Sequence, residues 1–575
     1  MQISAIHHDM DKRYCFALDK GKFLIRIQVQ RDDMKNVTLH LQDKNIPIDR
    51  LDTRQTIPMI RVSSDRCHDY YEAELNIDVL CLRYFFELED KAGQVLYYGN
   101  YEFSETAFED IYDMFDCPQN MREEEMFRIP EWAADKVVYQ IFPSRFAADK
   151  EVDKEKWYKA PISFKDELGG SLRGIIGHLD HLQDLGIDVI YMTPVFQSNS
   201  VHKYDTIDYY HIDPSFGTEE DLKELVDKAH EMGMRVILDA VFNHTSPEFF
   251  AFADLKEKEE QSAYKDWYFV DSFPLHAAWG EKPSYKSFAY YGGMPKLNLK
   301  NRETQDYFIQ VGLYWLEKCH IDGWRLDVAD EISHVFWKRF RDEAKAVNPQ
   351  ALIIGEVWHH AADFLEGDEW DTIMNYSFYQ GVRDLVAEEK IRASRFLEKM
   401  GFLRGNLHNK VYPVLWNLID SHDTPRFLNM CGERKDKQKL GAALQLLLPG
   451  MPMIYYGDEY GLTGGQDPDC RRGMLWDEEY QDLDMYRWYQ SLIRIRKAHP
   501  CLTQGVTVAE QADDETGLIT ITRKGNGEQL TVLFHAGAYE IEAAGYDNCI
   551  NLVTGEEFCG KVVPWEALVL VRKAP

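Results

Sequence analysis

The spacing of apolar and polar residues divides the chain into three parts with different periodicities. Up to about residue 120, short alternating runs such as KFLIRIQVQ and NVTLHLQ are separated by Asp, Asn and Gly. Alternation with a period of two residues is typical of strands that bury one face. We therefore predict an N-terminal β-sandwich over 1–125 and interpret the acidic segment MREEEMFRIPEWAADK as a linker.

From residue 137 onward, continuous apolar runs alternate with stretches of helical spacing, such as EEDLKELVDKAHEMG and SHVFWKRFRDEAKAVNP. Several of these stretches end at Gly or Pro, as helices commonly do. Eight strand and helix units in succession predict an α/β fold, a (β/α)8 TIM barrel over 126–498. The predicted strands are 137–146, 187–196, 234–244, 321–328, 351–358, 370–376, 414–423 and 452–461.

Two further parts complete the predicted architecture. The connection after the third barrel strand is too long for a simple unit, which predicts an inserted subdomain at about 245–296. After LIRIRKAHPCL the alternating pattern returns in LITITRK, QLTVLFHA and ALVLVRK. These runs predict a C-terminal antiparallel β-sandwich over 499–575.

The charge and composition of the chain argue against nucleic acid and membranes as binding partners. The formal net charge is −32 and the pI is about 5.0, so nucleic acid and anionic lipid surfaces would be repelled. No signal segment and no apolar run of about 18 residues is present, so we expect no membrane partner. The ten Cys residues form no CxxC pair and no zinc spacing, which predicts reduced thiols and a cytoplasmic location.

Polar residues cluster at the carboxyl ends of the predicted barrel strands, where barrel enzymes place their catalytic groups. Three carboxylates, Asp327, Glu356 and Asp423, end the apolar runs GWRLDV, LIIGEVW and LIDSHD. A solvated rim of charges would also place acids there, but these acids are embedded in apolar sequence. Carboxylates with separated pKa values suit glycoside hydrolysis, and a site for a hard divalent cation is the alternative.

The segments DAVFNH, GWRLDVAD, GEVW and LIDSHD, in this order, closely resemble the sequence blocks of the α-amylase family, glycoside hydrolase family 13. The segment MPKLN and the N-terminal β-domain, which is similar to a carbohydrate-binding module, resemble its neopullulanase, cyclomaltodextrinase and maltogenic amylase branch. The resemblance implies a retaining α-glucan hydrolase for cyclodextrins, pullulan and maltooligosaccharides. It leaves open α-1,6 cleavage and glycosyl transfer to acceptor sugars.

The resemblance also implies residue roles. Asp327 would be the nucleophile, Glu356 the general acid and base, and Asp423 the third carboxylate, which binds sugar hydroxyls. Arg325 would keep Asp327 ionised through its opposite charge, and Asp239 would support this network rather than touch substrate. The implied substrate-binding residues are Tyr204, His244, Arg325, His422, Asp467, Arg471, Glu331 and Trp358.

Two features concern metal and assembly. Relatives bind Ca²⁺ near the first barrel strand, but Ala147 and Ser171 occupy positions where oxygen ligands are expected here. Losing oxygen ligands weakens a hard-cation site, so we predict no metal and no required cofactor. The branch commonly forms a homodimer through the N-terminal domain, so we expect one here, although the aromatic segments NYEF and YYE are better explained as core.

Two other functions remain to be separated from the hydrolase. One is an exo-acting α-glucosidase or sucrose-directed transferase of the same family, against which MPKLN and the N-terminal domain argue. The other is a sugar-binding relative that has lost catalysis. Such relatives usually lack a catalytic carboxylate or carry a membrane segment, whereas this chain retains all three carboxylates.

Overall fold

The computed structural model describes residues 1–10, 13–76, 79, 81–100, 102–117, 126–278 and 280–573. These residues form two compact units. The first contains residues 1–128 together with 365–367 and 394–412, and the second contains the remainder. The predicted boundary after residue 125, the start of the predicted linker, and Tyr101 of NYEF lie outside the described residues.

The first unit contains two antiparallel sheets that share one hydrophobic core, as a β-sandwich requires. Ile25 and Ile27 from one sheet and Leu39 and Leu41 from the other are buried in this core. One sheet contains the strands Cys15–Asp19, Lys22–Gln30, His68–Asn76 and Ile60–Ser64, in this spatial order. The other contains Gln55–Pro58, Met34–Asp43, Leu82–Asp90, Val95–Tyr98 and Phe103–Ser104, with Phe115–Cys117 paired to Leu82–Asp90.

Residues 394–412, which the sequence analysis includes in the barrel range, pack within the first unit. The buried guanidinium of Arg26 forms an ion pair with Glu72 and donates hydrogen bonds to the carbonyls of Gly405 and Leu407, each at 2.9 Å. A Cβ on Gly401 would lie 1.9 Å from the carbonyl oxygen of Ser64. Long-range contacts of this kind leave no periodic signal in the sequence.

The predicted barrel is confirmed: eight parallel strands close on themselves, each shorter than its apolar run. The run predicted over 321–328, for example, leaves the sheet after Leu326. Asp327 therefore lies just beyond the end of its strand. Barrel strands 1 to 8 are Val138–Ile141, Val189–Met192, Arg235–Ala240, Gly323–Leu326, Leu352–Gly355, Thr372–Asn375, Trp416–Asn417 and Met451–Tyr455.

The predicted helices are present, with one interruption. The stretch LRGIIGHLDHLQDLG forms two helices, Leu172–Ile176 and Leu179–Leu185, because the first ends at Gly177. Gly174 lies against the chain at Ala147, where a Cβ would come within 2.0 Å of the carbonyl oxygen. The other helices are Pro143–Phe146, Lys154–Trp157, Glu219–Glu231, Phe250–Lys258, Arg302–Lys318, His334–Val347, Tyr376–Val382, Ala393–Asn406, Phe427–Met430, Lys435–Leu447 and Leu483–Ala498.

The inserted subdomain follows barrel strand 3. It contains the helix Phe250–Lys258 and returns to the barrel through a bridge between His244 and Lys296. The C-terminal sheet is antiparallel, with strands in the order Val506–Asp513, Leu518–Gly525, Glu528–His535, Glu566–Arg572 and Cys549–Asn551. Ile541–Glu542 and Lys561–Val562 form a separate pair. None of the described helices has both the length and the apolar composition that crossing a membrane requires.

Candidate active site

The three predicted catalytic carboxylates line one cavity of about 410 Å³ at the carboxyl ends of the barrel strands. Asp327 directly follows barrel strand 4, and its amide donates to the carbonyl of Ala240 at 3.1 Å. Glu356 directly follows barrel strand 5, and its amide donates to the carbonyl of Leu326 at 3.0 Å. Hydrogen bonds between neighbouring strands therefore extend one residue beyond each strand and fix both backbones.

Arg325 lies beneath this cavity and is completely buried. Its Nη1 is 2.9 Å from both carboxylate oxygens of Asp239 and 2.9 Å from Oδ1 of Asp327. Its Nη2 is 2.9 Å from Oε2 of Glu356. One guanidinium thus joins three carboxylates from three neighbouring strands, which accounts for a charged residue within the buried run GWRLDV.

The charge balance of this group favours retention of a proton. Three ionised carboxylates would face one guanidinium in a buried environment. Burial raises the pKa of Asp327 well above its usual range, Arg325 opposes this, and the nearby carboxylates raise it further. Burial also raises the pKa of Asp239, to about 6, against the effect of Arg325.

The expectation that Arg325 keeps Asp327 ionised therefore needs correction. The ion pair is present, but it does not outweigh burial and the neighbouring carboxylates, which raise the pKa of Asp327. A proton shared by such a group belongs to the coupled set of carboxyls rather than to one residue.

A second polar group surrounds Asp423. Nη2 of Arg471 is 3.3 Å from Asp423 Oδ1, and Nη1 is 2.9 Å from Asp467 Oδ1. His422 lies between this group and the carboxylates on Arg325, since its Nε2 is 3.2 Å from Asp423 Oδ2 and 2.5 Å from the hydroxyl of Tyr204. Burial raises the pKa of Asp467 to about 6 despite Arg471.

His422 and Tyr204 differ in their access to the cavity. His422 is fully buried and is not among the residues that line the cavity, whereas Tyr204 is. The Tyr204 hydroxyl also donates to Asp239 Oδ2 at 3.1 Å. His422 thus contacts Tyr204 and Asp423 through its Nε2, and the expectation that it donates to a sugar hydroxyl stays a prediction.

Aromatic side chains form much of the cavity wall. His244 is buried, and burial lowers its pKa to about 3, so its ring is neutral at neutral pH. It stacks on Phe288 with ring centroids 5.2 Å apart. Trp358 stacks on Tyr376 with centroids 4.0 Å apart, and its indole Nε1 donates to Glu356 Oε1 at 3.1 Å. One aromatic residue thus both lines the cavity and orients a carboxylate.

Glu331 lies outside this wall. Its side chain is 48 % exposed and pairs with Nζ of Lys296 at 2.6 Å, and it is not among the residues that line the cavity. Lys296, from the segment MPKLN, also donates to Asn243 Oδ1 at 2.5 Å. The structure therefore connects Glu331 to the inserted subdomain rather than to the three carboxylates.

Five residues of the cavity wall are absent from the sequence-based prediction: Phe164, His202, Phe288, Met294 and Val328. Three of them had a signal, because Val328 lies in GWRLDVAD, Met294 begins MPKLN, and His202 is two residues before the predicted Tyr204. Phe164 and Phe288 lie in long connections without periodicity, and their sequence context gives no indication of the cavity.

Ser171 and Ala147, at the positions where relatives have Ca²⁺ ligands, form hydrogen bonds within the chain. The Ser171 hydroxyl donates to Asp149 Oδ1 at 2.8 Å, and the Ser171 amide donates to the carbonyl of Ala147 at 2.9 Å. Across the described ranges, no group of three or more His, Cys, Asp or Glu side chains is arranged to hold a metal. The expectation of no calcium requirement stays a prediction.

Comparison with known proteins places this cavity in context. Residues 140–505 match the family model described as alpha amylase, catalytic domain. Residues 1–120 match the model described as alpha amylase, N-terminal ig-like domain. The first match alone covers more than half of the chain and includes all three carboxylates.

Individual proteins are similar over nearly the whole length. A cyclomaltodextrinase of Geobacillus thermopakistaniensis (strain MAS1) is 39 % identical over 574 residues, covering 98 % of this chain and 96 % of the relative. Neopullulanase 2 of Thermoactinomyces vulgaris is 38 % identical over 579 residues, covering 98 % and 97 %. A solved cyclomaltodextrinase structure superposes with a TM-score of 0.92 at 35 % identity, covering 99 % of this chain and 100 % of that one.

Proposed function

We propose that this chain, which belongs to the α-amylase family of glycoside hydrolases, is a retaining α-glucan hydrolase for cyclodextrins, pullulan and maltooligosaccharides. The observation that carries this proposal is the convergence of Asp327, Glu356 and Asp423 on one cavity, with Arg325 beneath it. Two carboxyls with different protonation on either side of a glycosidic bond are what retaining hydrolysis requires.

In the proposed reaction a carboxylate oxygen of Asp327 attacks the anomeric carbon, and Glu356 gives its proton to the departing glycosidic oxygen. Glu356 then removes a proton from water, which attacks the anomeric carbon and releases Asp327. The shared proton fits this cycle because the reaction needs one of the two carboxyls protonated and the other ionised. Binding of a glycosidic oxygen beside Glu356 would favour the proton on that residue.

Asp423 and its partners would bind the sugar that is cleaved. Arg471 holds Asp423 and Asp467 at the cavity wall, so their remaining oxygens can accept hydrogen bonds from sugar hydroxyls. Tyr204, His244 and Trp358 offer ring surfaces and polar atoms in the same wall. Glu331, paired with Lys296, would act further out, where an acceptor sugar or water competes for the glycosyl intermediate.

The substrate class is tested by product analysis with β-cyclodextrin, pullulan and soluble starch. We expect rapid opening of cyclodextrin to maltose, release of panose from pullulan, and slow cleavage of starch. The two named relatives act, by their names, on cyclodextrins and pullulan, which supports this order. Fast starch cleavage with inert cyclodextrin would contradict it, and release of single glucose units from chain ends would favour the exo-acting alternative. No turnover of any substrate would favour the sugar-binding alternative.

We further propose that activity requires no Ca²⁺. The supporting observation is that the Ser171 hydroxyl donates to Asp149 and, at the N-cap of the helix Leu172–Ile176, accepts from the amide of Gly174. Treatment with EDTA followed by gel filtration is therefore expected to leave kcat and Tm unchanged. Loss of activity on chelation, with recovery on adding Ca²⁺ but not Mg²⁺, would contradict this prediction.

Assembly and location are also proposals. We propose a homodimer formed through the N-terminal unit, whose surface includes the exposed apolar residues Leu51 and Ile60. Tyr70 and Tyr71 of YYE are buried, so they belong to the core and are not available for this contact. Within the described ranges the ten cysteines form no disulfide, which supports a cytoplasmic location, where thiols stay reduced.

A further inference from the structure

Val328, which directly follows Asp327, has a backbone conformation that valine rarely adopts. Its φ is 46° and its ψ is 45°, in the left-handed region. A side chain branched at Cβ is crowded against the backbone there, so such a residue is a true outlier. Strain of this kind persists only where surrounding contacts enforce it, and it concentrates at functional sites.

The left-handed turn directs two successive amides toward Glu356. The N–H of Val328 donates to Glu356 Oε2 at 2.9 Å, and the N–H of Ala329 donates to the Glu356 backbone carbonyl at 3.3 Å. Asp327 is anchored separately, through its amide on Ala240. The φ and ψ of Val328 set the angle between the two peptide groups that carry these amides, so changing them would disturb the two contacts with Glu356 while the Asp327 amide stays on Ala240.

Contacts on the far side of the turn hold it in this conformation. The amide of Glu331 donates to the carbonyl of Val328, and the amide of Ile332 donates to that of Ala329, each at 3.2 Å. The indole of Trp337 donates to the carbonyl of Ala329 at 2.9 Å. These bonds and the packing of the buried Ala329 outweigh the unfavourable conformation of one residue.

We propose that Val328 is a positioning residue for the proton donor: its strained, left-handed backbone fixes the carboxyl of Glu356 through the Val328 N–H. This inference rests on the proposed roles of Asp327 and Glu356. The surrounding contacts hold the turn against the preference of valine, and within the left-handed region a β-branched side chain leaves a narrower range of backbone angles than glycine does. Glycine at this position would adopt the turn without strain but would also leave it easily.

The test compares Val328→Gly with Val328→Ala. Both remove the side-chain methyl groups that face the cavity, but alanine keeps a Cβ that restricts the backbone. We expect Val328→Gly to lower kcat on maltotriose about tenfold below Val328→Ala, with KM values within about twofold, because small misplacement of a catalytic group is costly. We expect its Tm to be no lower than that of Val328→Ala, because glycine relieves the strain.

A second substrate separates proton donation from other effects. The 4-nitrophenolate of 4-nitrophenyl α-maltoside departs without a proton, so the defect of Val328→Gly relative to Val328→Ala in kcat/KM, which reports formation of the glycosyl intermediate, should fall to less than about threefold. Equal kcat values for the two variants on maltotriose would overturn the proposal, because the backbone of Val328 would then have no effect and only its side chain could contribute. An equal defect on both substrates, or a lower Tm for the glycine variant, would also overturn it.

Failure of this inference can be distinguished from failure of the proposed function. Asp327→Asn and Glu356→Gln are measured in the same series. Activity in both of these variants would remove the proposed catalytic roles themselves. If both are inactive while the glycine and alanine variants behave alike, only the role of Val328 is lost.

Discussion

Asparagine in place of Asp327 is expected to lower kcat on β-cyclodextrin by about 10⁴-fold, and glutamine in place of Glu356 by about 10³-fold. The first variant has no nucleophile, and the second has no proton to donate. Neither should unfold the barrel. Asp327→Asn removes one of several buried negative charges whose mutual repulsion raises the pKa of Asp327, so its Tm is expected to equal or exceed that of the unmodified chain.

The matched control is Asp330→Asn, three residues further along the chain. Asp330 is half-buried, lies 3.4 Å from His359, and is not among the residues that line the cavity. Its substitution removes the same charge and is expected to leave kcat within about threefold. A residual rate above about 1 % in Asp327→Asn would contradict the assignment of the nucleophile.

The two roles can be separated further with azide and 4-nitrophenyl α-maltoside. In Glu356→Ala, the covalent intermediate still forms with this substrate, and azide attacks it to give the α-glycosyl azide. In Asp327→Ala, azide takes the place of the missing nucleophile and gives the β-glycosyl azide. Azide attack on the covalent intermediate is the second inversion at the anomeric carbon and restores the α configuration. Direct azide attack on the substrate is a single inversion and gives the β configuration. The opposite pattern would exchange the roles of the two residues.

The sequence predicted the position of the carboxylates because their location depends on strand order. A parallel barrel places every strand end at the same face, so Asp327 and Glu356 at the ends of apolar runs had to lie close together. The same argument placed Asp423, although its strand is only Trp416–Asn417 and the apolar run continues as a buried loop.

Other features could not be read from the sequence, for identifiable reasons. The left-handed conformation of Val328 opposes the preference of valine and exists only because neighbouring amides and carbonyls enforce it. Phe288 reaches the cavity from the inserted subdomain, where no periodicity indicates which face is inward. The raised pKa of Asp327 depends on its burial, on Arg325 and on the neighbouring carboxylates, and their arrangement appears only in the folded chain.

Replacing Arg325 by methionine is expected to abolish activity and to lower the free energy of unfolding by about 3–5 kcal/mol at neutral pH. Methionine fills a similar volume but leaves Asp239, Asp327 and Glu356 without their shared counter-charge in a buried site. This loss of unfolding free energy exceeds the loss expected on removing an exposed ion pair, because the buried carboxylates are not solvated. Differential scanning calorimetry measures it as a fall in Tm.

The loss of stability in Arg325→Met should also increase with pH. The pKa of Asp239 is already about 6 with Arg325 present, above the value near 3.8 of an unfolded chain. Without Arg325 it rises further, so the folded state keeps a proton that the unfolded state releases as pH increases. A carboxyl with a raised folded-state pKa costs least below the unfolded value and most above the folded one. The variant should therefore lose more stability at pH 8 than at pH 5.

Arg496 provides the matched control for this dependence. It is also buried, but among the described residues its guanidinium donates to backbone carbonyls, including those of Leu446 at 2.8 Å and Leu448 at 3.1 Å, and to no carboxylate. Burial lowers its pKa to about 10, so it stays charged between pH 5 and pH 8. Arg496→Met should thus be destabilised to the same extent at both pH values. If Arg325→Met behaves in the same way, the carboxylates do not depend on Arg325 for their charge, and the shared proton is not part of the site.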